Sequence, residues 1–263
     1  MRTRTSAALV LLAVLACAAP ARGASVFTVP GFHSPGTPRK LDRVQVRRFG
    51  SPRAPNVLVL VPGTLGGAGD FQLVGPYLAA HVPHLQVWAE MRREGALEDN
   101  SMLLKGLAGA ASVQQVFDYY QGWLANPSIS PHYQPLTNAQ TAFAKQWGLN
   151  TAMEDLHRLI QKARAGGKRR VILGGHSLGG AEAAIYPAWD FHGRAGYKDL
   201  AGIVGIDGGV LGHPASIASK AQAQAAVKQL DTSGPWRDIL GFGLPWVQGP
   251  LAEIGALTVL KEP

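Results

Sequence analysis

Residues 171–180 constrain the fold more than any other part of this chain. They begin with a short aliphatic run typical of a buried strand and continue as GHSLG at 175–179, which fits the pattern G-x-S-x-G. This pattern places a serine on a sharp turn between a strand and a helix, and its glycines leave room for the two elements to pack closely. A run of small residues follows, and Pro187 marks the predicted end of a helix. We therefore expect Ser177 at the tip of a strand–turn–helix unit. The alternative is a glycine-rich turn with a structural serine.

Residues 1–23 have the features of a secretory signal peptide. They combine a basic start with two arginines, an apolar stretch at 7–19 that is too short to span a bilayer, and small residues before a cleavage point after Gly23. These features predict export to the periplasm or the medium. Cys17 lies in a stretch that loosely resembles a lipobox, so anchoring as a lipoprotein is the alternative.

Residues 24–263 are numerous enough to form one substantial domain. Cleavage after Gly23 would remove Cys17, the only cysteine, and leave neither a disulfide nor a thiol nucleophile. The formal charge of +8 would fall by three, and the remaining charge is spread out apart from a basic cluster at 168–170, which we interpret as a solvated turn. Because no basic stripe with a recognisable module is present, the sequence predicts no nucleic-acid partner. Contact with an anionic membrane is compatible with this charge but not required.

The predicted strands fall at regular positions along the chain. Residues 41–49 alternate between polar and apolar side chains, as an early edge strand does. Residues 56–61, 85–89 and 200–206 are aliphatic runs typical of buried parallel strands.

Helical patterns separate these strands. One helix is predicted over 70–81, with Asp70 as its N-cap, and a second over 151–165. The alternation of strands and helices predicts an α/β fold with a mainly parallel sheet and helices on both faces. The second helix has apolar side chains at helical spacing: Met153, Leu156, Leu159, Ile160 and Ala163.

Residues 100–136 interrupt the alternation with prolines and a group of aromatic side chains. We interpret them as a helical lid or cap insertion over the carboxyl ends of the strands. An ordinary helical insertion that only packs is the alternative. The aromatic residues are Phe117, Tyr119, Tyr120, Trp123 and Tyr133.

The serine motif at 175–180, the strand and loop at 56–67 and the strand at 200–207 together resemble the α/β-hydrolase superfamily. Residues 190–209 also resemble a group of exported bacterial α/β-hydrolases. The resemblance covers residues 40–210 and implies a single α/β-hydrolase-like domain over 24–263, in which Ser177 is the nucleophile of a serine hydrolase.

The same resemblance implies an oxyanion hole made of two backbone N–H groups. One belongs to the residue after the nucleophile, here Leu178, and the other to the loop after the early central strand. By position the second donor is Thr64, with Leu65 as the neighbouring candidate. A flexible turn is the alternative interpretation of this loop.

The resemblance further implies an acid and then a histidine base, both after the serine. Asp207 ends a predicted strand and is the candidate acid, although it could instead cap a turn. His213 is the candidate base and His192 the alternative, while His176 is expected to shape the site. The remaining candidate acids are Asp199, Asp231, Asp238 and Glu253.

Residues 211–263 are predicted to form a helical C-terminal region without the last two strands of this fold, so we expect a chain truncated at its C-terminus. The sequence thus predicts an exported esterase or lipase-like serine hydrolase acting on a small-molecule ester or a lipid. The alternative is a catalytically incomplete hydrolase-like protein that binds a lipid or a partner. No metal-ligand spacing and no dinucleotide fingerprint is present, so we expect no metal and no cofactor. The oligomeric state is not predicted.

Overall fold

The computed structural model describes residues 24–209, 219–235, 250, 254–255 and 257–258. These residues contain six strands: β1 Ser25–Pro30, β2 Arg43–Phe49, β3 Asn56–Val61, β4 Leu85–Met91, β5 Arg170–His176 and β6 Gly202–Ile206. They also contain the α-helices α1 Val74–His81, α2 Ser101–Leu107, α3 Val113–Phe117, α4 Trp123–Ala125, α5 Leu149–Arg164, α6 Leu178–Ile185 and α7 Lys220–Ser233. A short π-helical segment, Asp118–Gly122, connects α3 to α4.

The six strands form one mixed sheet in the order β1-β2-β4-β3-β5-β6. Strands β4, β3, β5 and β6 run parallel, whereas β1 and β2 pair antiparallel with each other and β2 pairs antiparallel with β4. This arrangement confirms the predicted α/β fold with a mainly parallel sheet flanked by helices. The prediction that the last strands of the fold are missing remains a prediction.

The described residues divide into two compact units. The first comprises the described parts of Met1–Pro30, Arg43–Arg92 and Asp155–Val210, and it contains the sheet. The second comprises the described parts of Gly31–Asp42, Arg93–Glu154 and Leu211–Pro263. The predictions of a single domain and of a lid over 100–136 remain predictions.

Both faces of the central strand β3 are buried in the first unit. Leu58 and Leu60 belong to a hydrophobic cluster with Phe71 and Val87, against which Leu78 of α1 packs. The alternate residues of β3, which point to the opposite face, are fully buried as well. The continuous aliphatic run at 56–61 therefore has the burial that its composition predicts.

The edge of the sheet differs from the prediction. Residues 41–49 were expected to be an edge strand, but β2 is paired on both sides because β1 lies outside it, with Phe27 opposite Val46. Strand β1 begins shortly after the predicted cleavage point and is only six residues long. Its pairing depends on contacts distant in sequence, so its own pattern does not reveal it.

The start of α1 also differs from the prediction. The helix begins at Val74, and Asp70 is not its N-cap, because Ala68–Phe71 forms a separate 3-10 turn. Asp70 instead accepts a hydrogen bond from the backbone N–H of Gly67 at 3.4 Å. This local bond competes with helix capping and delays the helix by one turn.

The long helix α5 confirms the predicted helical spacing. Met153, Leu156, Leu159, Ile160 and Ala163 are each 0–1% exposed, so all five face the interior. The predicted strand at 85–89 is confirmed and extends two residues further as β4. The predicted strand at 200–206 is confirmed as β6, which starts at Gly202.

The second unit has its own hydrophobic cluster. Leu103 of α2, Val116 of α3 and Tyr120 pack with Ile254 and Leu257. Tyr119 and Tyr133 pack against this cluster. At least these three aromatic residues of the segment 100–136 therefore contribute to packing within their own unit.

A polar network borders this cluster. Asp99 accepts hydrogen bonds from the backbone N–H of Ser101 at 2.9 Å and from the hydroxyl of Tyr119 at 2.7 Å, and the hydroxyl of Tyr120 donates to the Asp99 carbonyl at 2.6 Å. Burial raises the pKa of the Asp99 carboxyl, but the hydrogen bonds from Ser101 and Tyr119 outweigh burial and leave this pKa below its ordinary value. Burial, with a further contribution from the charge of Asp99, raises the pKa of Tyr120 to about 12.

Among the residues whose structure is described, no helix is both long enough and apolar enough to cross a membrane. The predicted signal peptide, residues 1–23, lies outside the described residues.

Candidate active site

The carboxyl ends of β3, β5 and β6 lie side by side, because β5 pairs with β3 on one side and with β6 on the other. Val61 lies opposite Gly175, and His176 lies opposite Ile206. The segments that follow these three strands therefore meet at one edge of the sheet. Open parallel sheets bind their ligands at this edge.

Ser177 lies at this edge, between the last residue of β5 and the first residue of α6. Its φ is 50° and its ψ is −115°, a backbone conformation that is strained for a residue with a Cβ. Its N–H donates to the carbonyl of Ile206 at 3.2 Å, and its carbonyl accepts from Ala181 N–H at 3.2 Å. The predicted strand–turn–helix unit is present, and Ser177 is exposed at its tip.

Glycines surround the backbone of this turn. A Cβ at Gly175 would lie 2.7 Å from the nitrogen of Gly180, and one at Gly179 would lie 2.6 Å from the carbonyl oxygen of Pro62. Real Cβ atoms do not make such contacts with backbone atoms, so both positions of the G-x-S-x-G pattern require glycine. This requirement explains in physical terms why the pattern predicts the turn.

The loop after β3 lies directly against Ser177. A Cβ at Gly63 would be 3.3 Å from the Cβ of Ser177 and 3.0 Å from Nδ1 of His176. The loop is a tight turn in which Gly66 N–H donates to the Gly63 carbonyl at 3.2 Å. Leu65 adopts a φ of 62° within it, a left-handed backbone conformation that is strained for a residue with a Cβ.

The loop and the serine turn approach each other at Gly63 and Ser177. Thr64 follows Gly63 in the chain, and Leu178 follows Ser177. The N–H of Leu178 opens helix α6, where the first N–H groups have no acceptor within the helix. Among the described residues, the N–H groups of Thr64 and Leu178 donate no backbone hydrogen bond.

Asp207 also belongs to this edge of the sheet. It follows Ile206, whose carbonyl accepts the Ser177 N–H, and it adopts a φ of 44°. A Cβ at the next residue, Gly208, would lie 2.6 Å from the Ser177 nitrogen. Asp207 is exposed, and among the described residues its carboxylate makes no hydrogen bond to Gly208 or Gly209. Its role as acid or as turn cap stays a prediction.

The sequence predicts His213 as the base, with His192 as the alternative. His213 lies outside the described residues. His192 is exposed in a turn closed by reciprocal backbone hydrogen bonds between Phe191 and Arg194, at 2.9 and 3.2 Å, and its φ is 54°. Within the described ranges, Ser177 Oγ has no hydrogen bond to any histidine. His176 packs beside Gly63, and its role in shaping the site stays a prediction.

The structure adds two residues that the sequence analysis missed. Arg92, which directly follows β4, donates from Nη1 to both carboxylate oxygens of Glu182, at 2.8 and 3.1 Å, and from Nη2 to the carbonyl of Pro62 at 2.8 Å. Glu182 is buried in α6, a short helix that otherwise contains only alanine, glycine, leucine and isoleucine. A lone carboxylate in such a helix is a signal that could have identified this pair.

The other candidate acids have different environments. Asp199 is fully buried and accepts from Gln161, Arg164 and Arg194, at 2.7, 2.7 and 2.8 Å. Asp231 is exposed and pairs with Lys145 at 3.3 Å. Asp238 and Glu253 lie outside the described residues. Asp199 is thus fully engaged in a structural network.

A hollow of about 270 Å³ lies at the opposite edge of the sheet. It is lined by residues at the amino ends of the parallel strands, among them Asn56, Leu85 and Arg170. Because these ends face away from the edge that carries Ser177, the hollow is no part of the candidate site. Among the described residues, no group of three His, Cys, Asp or Glu side chains could hold a metal ion.

No family model and no curated protein sequence matches the chain. Solved structures do match it. A candidate lipase from Sulfolobus solfataricus has a TM-score of 0.50 and 16% sequence identity, with 81% of this chain and 52% of that protein covered. A thermophilic esterase from Thermogutta terrifontis has a TM-score of 0.39 and 14% identity, with 80% and 55% covered. A carboxyl esterase from Bacillus coagulans has a TM-score of 0.36 and 16% identity, with 69% and 43% covered.

Only the first of these reaches the TM-score at which two folds are regarded as alike. The likeness shows the fold alone, which is a mainly parallel sheet flanked by helices. The chain spans about half the length of the solved structures that it matches.

Proposed function

We propose that this protein is a serine hydrolase that cleaves esters of small molecules or lipids by acyl transfer. The observation that carries the proposal is the conformation of Ser177, exposed with a φ of 50° and a ψ of −115° between β5 and α6. Strain of this kind persists where the surrounding structure enforces it, and it clusters at functional sites. On a strand–turn–helix unit it presents the serine Oγ to the carboxyl edge of the sheet.

The proposed reaction begins with attack of Ser177 Oγ on the ester carbonyl carbon, while a base takes the hydroxyl proton. The carbonyl oxygen becomes an oxyanion and accepts hydrogen bonds from the N–H groups of Thr64 and Leu178. Collapse of this intermediate breaks the ester C–O bond, and the base returns its proton to the departing alcohol. Water then attacks the acyl-enzyme carbonyl while the base takes its proton. The bond to Oγ breaks, the carboxylic acid leaves, and the base returns the proton to Ser177.

The proposed acid is Asp207, supported by its place directly after the strand residue that binds the Ser177 N–H. The proposed base is His213, with His192 as the alternative. A carboxylate next to the base would hold the imidazole in the tautomer that accepts the serine proton.

A fluorophosphonate probe tests the nucleophile. The folded wild-type protein should be labelled on Ser177, and Ser177→Ala should not be labelled. Ser51→Ala is the matched control, because this serine lies in the turn between β2 and β3 and should leave the labelling unchanged. Absence of both labelling and ester hydrolysis in the folded wild-type protein would reject the proposal.

Two variants test the base. His213→Ala should lower the rate of hydrolysis of an activated ester by at least about 100-fold, as expected for loss of general-base catalysis. His192→Ala should change the rate by less than about threefold. The reverse pattern would assign the base to His192, and two unchanged rates would reject both assignments.

A second candidate function is binding of a lipid or a partner without turnover. It is favoured by the absence of a hydrogen-bond partner for Ser177 Oγ in the described residues and by the exposure of Leu65 and Leu178 beside it, at 63% and 44%. Saturable binding of a fatty-acyl analogue by a protein that neither hydrolyses esters nor reacts with the probe would support this function.

We also propose that the protein is exported, on the evidence of the basic and apolar segment at residues 1–23. Mass spectrometry of the mature N-terminus tests this. A chain that begins at residue 24 supports export by cleavage, a lipidated Cys17 supports the lipoprotein alternative, and an intact Met1 argues against both.

A further inference from the structure

The Arg92 guanidinium joins three segments at the carboxyl edge of the sheet. One is the carboxyl end of β4, from which Arg92 itself extends. The second is helix α6, through Glu182, and the third is the loop after β3, through the carbonyl of Pro62. All three hydrogen bonds are 2.8–3.1 Å long, and the two side chains are 17% and 8% exposed.

The contact with Pro62 fixes the orientation of one particular peptide plane. The Pro62 carbonyl and the N–H of Gly63 belong to the same planar peptide group, so a hydrogen bond to the carbonyl also orients the start of the turn at 63–66. The next residue along the chain is Thr64, the proposed oxyanion donor. Because glycines occupy 63, 66 and 67, the loop has little rigidity of its own, and contacts from outside must hold it.

The chemistry of the pair also favours a positioning role. Burying a carboxylate in α6 costs free energy unless it is paired with a positive charge. Two apolar side chains of similar size would pack equally well, so packing alone does not require the Arg92–Glu182 pair. The planar guanidinium, in contrast, can bind a carboxylate through one nitrogen and a carbonyl through the other in a fixed geometry. Lysine lacks this fork and cannot serve both partners at the same angles.

We propose that Arg92 is a positioning residue that holds the loop at 62–66 against the Ser177 turn, and that Glu182 in turn orients Arg92. The effect of Arg92 on catalysis rests on the proposed function, because that effect requires this loop to supply an oxyanion donor.

The kinetic test compares Arg92→Lys and Glu182→Gln with a matched control, Arg164→Lys. Arg164 also binds a buried carboxylate, that of Asp199 at 2.7 Å, but it does not contact the loop. Arg92→Lys should lower kcat for an activated ester by about 10- to 100-fold and change KM by less than about threefold, because misplaced donors weaken transition-state binding more than substrate binding. Glu182→Gln should also lower kcat with little change in KM, but by a smaller factor than Arg92→Lys. Arg164→Lys should keep kcat within about twofold. If the three variants lower kcat alike, or if only KM rises, the proposal is wrong.

Amide hydrogen exchange tests the positioning independently of turnover. Gly66 N–H, which donates to the Gly63 carbonyl, should exchange at least about tenfold faster in Arg92→Lys and in Glu182→Gln than in the wild type. In Arg164→Lys its exchange should be unchanged. Should Arg92→Lys fail to fold, Glu182→Gln, which removes a charge without changing shape, decides the question.

These measurements separate the two proposals. If the wild type does not hydrolyse esters, the proposed function fails, and the exchange rate of Gly66 alone supports or overturns the positioning by Arg92. If the wild type is active but neither kcat nor the exchange rate responds to Arg92→Lys, the proposed function stands and the positioning role is overturned.

Discussion

Gly208 lies against the backbone of Ser177 so closely that a single added methyl group would come within 2.6 Å of the serine nitrogen and 2.7 Å of its Cα. The segment after β6 thus supports the serine turn from behind, while the Ile206 carbonyl binds its N–H. The strained conformation of Ser177 depends on this support, because a strained residue persists only where its surroundings enforce it.

Gly208→Ala should disrupt the site. The new Cβ clashes with backbone atoms that cannot move without opening the turn, so we expect a loss of about 3 kcal/mol in the free energy of unfolding and loss of labelling by the fluorophosphonate probe. Gly209→Ala is the matched control, because a Cβ there meets nothing within 4 Å, and it should change stability by less than about 0.5 kcal/mol. Equal effects of the two changes in urea unfolding would contradict the close contact.

Ser177→Gly should be more stable than Ser177→Ala by about 1 kcal/mol. Alanine keeps the Cβ and therefore the strain at a φ of 50°, whereas glycine relieves it and loses only part of that gain to the greater entropy of its unfolded state. Urea unfolding of the two variants in the absence of any substrate measures the difference. An alanine variant as stable as the glycine variant would show that the turn is not strained.

Asp199→Asn should destabilise the protein by about 3 kcal/mol. The change leaves Arg164 and Arg194 without their buried counter-charge, and the loss is at the lower end of the range for such pairs because both arginines are partly exposed. Asp231→Asn, which removes an exposed partner of Lys145, should cost less than about 0.5 kcal/mol. Thermal and urea unfolding should rank the two changes in this order, and ester hydrolysis should persist in both.

Stability should fall as the pH rises from 10 to 12, partly because of Tyr120. An unfolded tyrosine loses its proton near pH 10, whereas burial raises the pKa of Tyr120 to about 12 in the folded protein. Between these values the folded state binds more protons than the unfolded state, so the free energy of unfolding decreases with pH.

Tyr120→Phe should reduce this alkaline slope and cost about 1 kcal/mol at neutral pH, where the hydrogen bond to the Asp99 carbonyl is lost. Urea unfolding at several pH values measures both effects. A slope identical to that of the wild type would show that Tyr120 titrates alike in the two states.

The parts of the fold that follow from local rules could be predicted from the sequence. The serine turn needs glycine at 175 and 179 for steric reasons, so the sequence GHSLG alone is enough to predict the turn. The spacing of Met153 and Ile160 within α5 is likewise a local property. Strand β1 was missed because only its pairing with β2 identifies it.

The candidate site was predictable only in part, for the same reason. Ser177 and Leu178 follow from one motif, and Thr64 follows from its place after β3. Arg92 and Glu182 are 90 positions apart in the sequence. They meet only because β4 and α6 both lie beside β3, so no local pattern pairs them. The sequence could not decide whether Asp207 is the acid or caps a turn, because its place beside the Ser177 turn depends on a tertiary contact.

Because the Ser177 turn is enclosed by backbone atoms rather than by side chains, it offers almost no room for adaptation by mutation. Substitutions at Gly175, Gly179 or Gly208 collide with main chain, whatever the incoming side chain. The exposed side chains of Thr64, Leu65 and Leu178, in contrast, can change without disturbing that geometry. For the proposed hydrolase, we therefore expect laboratory evolution towards new substrates to accumulate its successful changes at these three positions, while the backbone around Ser177 stays unchanged.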